Sequence, residues 1–66
     1  MTVIVNGRPV AVPAGATVAT AVATVTEARA GVAVAVNDTV VPRGAWASTA
    51  LRERDRVEIL TAVQGG

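Results

Sequence analysis

Asn6-Gly7 stands between the β-branched run Thr2-Val3-Ile4-Val5 and the stretch Pro9-Val10-Ala11-Val12, and no other feature so constrains how this chain can begin to fold. A two-residue hairpin turn needs φ > 0 at both central positions, and Asn-Gly meets that need at little steric cost. The chain therefore predicts an N-terminal β-hairpin, with Val10 and Val12 on one face of the return strand and Pro13 and Gly15 breaking it. Thr17 follows as a helix N-cap, after which Val18, Ala21, Val22 and Val25 form a single apolar stripe at helical spacing. Ala19, Thr20, Ala23, Thr24 and Glu27 take the other side. Arg29 suits the negative end of the helix dipole, and Gly31 suits a C′ cap. The Thr and Val content lowers intrinsic helix propensity, so packing has to hold this element in place.

Val32-Ala33-Val34-Ala35-Val36 alternates with period two and predicts a strand. Asn37-Asp38 predicts a turn, Thr39-Val40-Val41 a short strand, and Pro42 its end. Gly44 through Leu51, carrying Trp46, is expected to be irregular or a short helical turn. Residues 52–56 form a charged turn, and Val57-Glu58-Ile59-Leu60-Thr61 is the last strand. The order implies an α+β domain in which one helix crosses a mixed sheet of four or five strands and covers one face. Residues 1–63 are expected to form this single domain, and 64–66 a flexible tail. Ile4 and Leu60, on the open face, are expected to form a modest apolar docking patch.

The residue inventory excludes several kinds of function. With no Cys, disulfides and thiolate metal sites are ruled out, and with no His the usual general base and metal ligand are missing too. There is no Lys to form a Schiff base or to accept an isopeptide bond. Only Asp or Glu remain to activate a hydroxyl nucleophile. Asp38, Glu53 and Asp55 all fall in predicted turns, where solvated charge is the default, so the chain is not expected to be an enzyme. Its net charge is +1, with signs interleaved in Arg52-Glu53-Arg54-Asp55-Arg56 and Trp46 the sole aromatic, a pattern that argues against nucleic-acid binding. The uncharged stretch from Pro9 through Thr26 is broken by Pro13 and Gly15 and is mostly Ala, Val and Thr. That makes it a poor membrane span and a weak signal segment, so a cytoplasmic protein is expected.

The chain closes on Gly65-Gly66. Glycines can thread a narrow channel, and a terminal carboxylate there is a group that a partner can activate. Together with the Asn6-Gly7 hairpin, the chain carries Gly15-Ala16-Thr17-Val18, Ala35-Val36-Asn37, Val41-Pro42-Arg43, Trp46, and Asp55 with Val57-Glu58-Ile59. With these it resembles, over its whole length, the ThiS family of thiamin-biosynthesis sulfur carriers, which have the ubiquitin-like β-grasp fold. The resemblance implies that an adenylating enzyme of the ubiquitin-activating type (ThiF-like) uses ATP to activate the Gly66 carboxylate. It further implies that sulfur from a donor such as a cysteine desulfurase converts this group to a thiocarboxylate, and that a thiazole synthase (ThiG-like) receives the sulfur. Val63, Gln64, Gly65 and Gly66 are then the arm that enters each partner, and no cofactor is bound by the chain itself. Alternatives in the same fold are a carrier for molybdopterin or another sulfur-transfer pathway, and a protein modifier or interaction module. Two positions depart from the family pattern. Arg54 stands where Gly is frequent, at a cost of about 1 kcal/mol if φ is positive there. Gln64 stands where a small residue is usual.

Overall fold

The computed structural model describes residues 1–28 and 30–62. The N-terminal hairpin consists of β1 (Thr2–Val5) and β2 (Arg8–Ala11). Its turn has φ of 50° at Asn6 and 81° at Gly7, as the Asn-Gly pair requires. Helix α1 spans Val18–Val25, followed by β3 (Val32–Val36), β4 (Thr39–Val40), a 3-10 helix at Arg43–Ser48, and β5 (Arg56–Thr61). The strands form one sheet in the order β2-β1-β5-β3-β4. β5 lies at its centre, parallel to β1 and antiparallel to β3, and both hairpins sit at the edges.

Period-two alternation turns one face of the sheet toward the helix. Val3, Val5, Val34, Val57 and Ile59 are buried there against Val18, Ala21 and Val22, while Ile4, Glu58 and Leu60 alternate to the other side. Each large aliphatic side chain buried in this layer contributes about 1.5–3 kcal/mol. Trp46 and Leu51 close one end of the core. The Trp46 indole N–H donates to the Val41 carbonyl at 2.9 Å, so the one aromatic ring is buried with its polar atom satisfied. Backbone bonds from Val18 N–H to Thr49 O (3.0 Å) and from Leu51 N–H to Ala16 O (2.9 Å) tie the helix entrance to the segment after the 3-10 helix.

The helix is shorter than its sequence pattern implies. It ends at Val25, with Thr26 as C-cap at an extended φ of −152°, so Gly31 does not cap it, and Arg29 lies outside the described residues. Thr26 accounts for the stop. Its hydroxyl accepts the Ala28 N–H at 3.0 Å, giving the backbone a local partner that competes with helix continuation. Val25, at the far end of the apolar stripe, is 40% exposed rather than core-facing. At the N-terminus the expected cap holds, with the Thr17 N–H donating to the Thr20 hydroxyl at 3.2 Å.

Candidate functional site

β5 is the element from which the site is built. It is paired on both sides and carries two fully buried side chains, Val57 and Ile59, so its path through the molecule is fixed. It delivers the chain to Ala62, whose N–H donates to the Gly31 carbonyl at 2.7 Å, one step beyond the Val32↔Thr61 pair of the ladder. Val63, Gln64, Gly65 and Gly66, the expected arm and its reactive end, lie outside the described residues.

The sheet face turned away from the helix presents exposed apolar surface beside the end of β5. Leu60 is 68% exposed and Val40 73% exposed. They frame a shallow, almost wholly apolar groove with Ala33, Ala35 and Glu58. Registers Ala33↔Leu60, Ala35↔Glu58 and Ala35↔Val40 place these side chains on one face, and the two alanines make the floor low. Ile4 lies on the same side but is half-buried, and it pairs with Arg56, four residues from Leu60. At about 3.3 Å per residue that is roughly 13 Å along the strand, so Ile4 and Leu60 are not adjacent. Leu60 groups instead with Val40. The two-residue turn at Asn37-Asp38 sets Val40 opposite Ala35, but bringing Leu60 to the same groove also needs the β3·β5 register that pairs it with Ala33.

The turn carboxylates hold structure together. Asp55 accepts the Asn37 side-chain amide (2.9 Å) and the Arg52 N–H (2.8 Å), while Glu53 accepts the Thr2 N–H at 3.1 Å. Asp38 pairs with Arg56 at 3.0 Å on the surface, an interaction worth little in water. A second, wider concavity opens on the helix side between the hairpin and the end of α1, lined by Val5, Asn6, Arg8, Val10, Thr24 and Val25. Among the described residues no helix is long and apolar enough to cross a membrane.

A mixed five-stranded sheet, with parallel terminal strands at its centre, hairpins at its edges and one helix across one face, is the ubiquitin-like β-grasp fold. A solved structure of the thiamine biosynthesis protein ThiS from Geobacter metallireducens superposes with a TM-score of 0.77, at 32% identity over 100% of both chains. The model of the ThiS family matches residues 3–66, and the chain belongs to that family, the sulfur carriers of thiamin biosynthesis. No curated protein matches it.

Proposed function

We propose that this chain carries sulfur for thiazole formation as a thiocarboxylate on Gly66. The observation that carries the reading is that the family match runs to Gly66 itself, so the terminal Gly-Gly pair belongs to the matched pattern. The chemistry follows from the weakness of a carboxylate as an electrophile. A Gly66 carboxylate oxygen attacks the α-phosphorus of ATP in a ThiF-like partner, and pyrophosphate leaves. A persulfide derived from cysteine then adds to the acyl-adenylate carbonyl and AMP departs, and a second thiol cleaves the resulting acyl disulfide, releasing the C-terminal thiocarboxylate and a disulfide. The partner supplies the cations that manage the phosphate charge. A ThiG-like thiazole synthase takes the sulfur, and the carboxylate is regenerated for another cycle in the cytoplasm.

In this scheme the described domain serves as a handle and the reactive group sits at its end. Val63, Gln64 and Gly65 reach into the partner. Leu60, with Ile4 further along the same face, contributes apolar docking surface.

Intact-mass measurement tests the proposal. After incubation with ATP, the activating enzyme and a sulfur source, the chain gains the mass of one sulfur-for-oxygen exchange, localised to Gly66 by fragmentation. A chain lacking Gly66 shows no gain. If that truncated chain gained the same mass, the reactive carboxylate would not be at Gly66. Adducts on lysines of other proteins would instead identify a modifier.

A further inference from the structure

Gly31 lies immediately before β3 and adopts a φ of +71°, in the left-handed region that L side chains rarely enter. A Cβ built there meets the Ala62 Cβ at 2.8 Å, closer than two such atoms can stand, while the next Ala62 atoms lie at 3.8 and 3.9 Å. Its carbonyl accepts the Ala62 N–H at 2.7 Å. Gly7 and Gly15 have comparable φ values of +81° and +84°, yet a Cβ on either meets nothing within 4 Å. Helix capping does not account for Gly31, because α1 ends at Val25. What is particular to Gly31 is its contact with Ala62, the last described residue of the chain.

We infer that Gly31 is a positioning residue: its missing side chain lets Ala62 seat against the sheet, and its carbonyl clamps Ala62, the residue that precedes the arm assigned above to Val63–Gly66. The consequence for sulfur transfer rests on the function proposed above, whereas the clamp rests on geometry alone. With Ala62 held, four residues follow it, and their reach is bounded at about 14 Å. Were Ala62, Thr61 and Leu60 released from the ladder, the seven residues from Leu60 to Gly66 could span about 24 Å, which would dilute the Gly66 carboxylate at a partner's active site.

The test compares Gly31→Ala with Gly15→Ala in the full chain. Both strain a left-handed residue, but only Gly31→Ala meets Ala62. Gly31→Asn, whose side chain tolerates positive φ but still carries a Cβ, gives a fold-sparing version of the same clash. Amide hydrogen exchange is expected to show protection at Ala62 falling about tenfold in both Gly31 variants and unchanged in Gly15→Ala, with Val34 and Val57 still protected in all three. With the activating enzyme, Gly31→Ala is expected to lower kcat about tenfold at an unchanged KM, because docking survives while delivery does not. The double variant Gly31→Ala/Ala62→Gly removes the 2.8 Å contact and is expected to restore both readouts. Equal behaviour of Gly31→Ala and Gly15→Ala, or no rescue by Ala62→Gly, overturns the clamp. If the unaltered chain accepts no sulfur, the proposed function falls, while the exchange rate at position 62 still decides whether Gly31 holds the arm.

Discussion

Asn6 and Asn37 each take the first corner of a two-residue turn, at φ of 50° and 48°, and each then uses its amide a second time across the sheet. The Asn6 carbonyl oxygen accepts the Ile59 N–H at 2.8 Å while its NH2 donates to the Ile59 carbonyl at 3.1 Å, extending the β1·β5 pairing beyond the last backbone pair. Asn37 accepts the Arg56 N–H at 2.9 Å and donates to Asp55. Asn6→Ala is therefore expected to cost about 2–4 kcal/mol, combining left-handed strain with two part-buried backbone groups left unpaired. Asn6→Gly, which relieves only the strain, is expected to cost about 1–3 kcal/mol, the loss of the amide pair. Urea midpoints decide this, and an Asn6→Gly midpoint equal to the parent's would show that the amide contributes nothing. Arg54 is the opposite case. It sits at φ 68° in a turn closed by the Asp55 N–H to Arg52 carbonyl bond, and its own N–H donates to the Thr2 carbonyl at 2.6 Å, a backbone bond that glycine keeps. Arg54→Gly releases about 1–2 kcal/mol of strain and loses about half of that through the freer unfolded chain. A net gain of about 0.5–1 kcal/mol in a thermal or urea melt is expected. The two turns were legible in the residues themselves, and so was the penalty at Arg54. The cross-sheet use of Asn6 was not, because Ile59 becomes its neighbour only once the terminal strands pair.

Local signals located the elements but did not set their lengths. Strand positions were legible wherever β-branched residues alternate between turn-formers, and the expected strand limits differ from the observed ones by a residue or so. The helix was overextended because Arg29 and Gly31 form a plausible terminus on paper, whereas the Thr26 hydroxyl bond to Ala28 turns the chain out earlier. The 3-10 helix Arg43–Ser48 depends on one side chain more than on its backbone. Trp46 is 8% exposed, donates to Val41, and has the Arg43 guanidinium 5.4 Å from its ring centroid. Trp46→Phe keeps most of the apolar burial but leaves the Val41 carbonyl without its donor, so a loss of about 1–2 kcal/mol is expected. Trp46→Ala opens a cavity worth about 3–5 kcal/mol, comparable with the whole stability of a domain this small, about 3–10 kcal/mol. Far-UV circular dichroism is expected to show Trp46→Phe melting cooperatively at a lower temperature and Trp46→Ala largely unfolded under ordinary conditions. Equal melting temperatures for the two would mean that the ring is not what seats this segment.

For the molecule as a whole, one helix lies across a five-stranded sheet among the described residues and leaves the other sheet face uncovered by them, and that asymmetry followed from the element order alone. Which residues would cluster on the open face did not follow, because neighbours there depend on strand order. Leu60 and Val40 line one groove from opposite sides of β3, while Ile4 stands near the opposite end of β5, beside Arg56. The two residues of the expected patch should therefore respond differently to substitution. Leu60, two-thirds exposed, contributes little to folding, so Leu60→Arg is expected to change stability by less than about 0.5 kcal/mol. If the proposed function holds and this face docks, placing a charge there is nonetheless expected to raise the KM of the activating enzyme for this chain about tenfold. Ile4 is half-buried in β1 against the central strand, so Ile4→Arg is expected to lose about 1–3 kcal/mol of stability before docking is affected at all. Measuring urea midpoints beside activation kinetics separates the two effects. A Leu60→Arg chain that folds and is activated with an unchanged KM would remove the groove framed by Leu60 and Val40 from the docking surface, and would leave the arm alone to account for recognition.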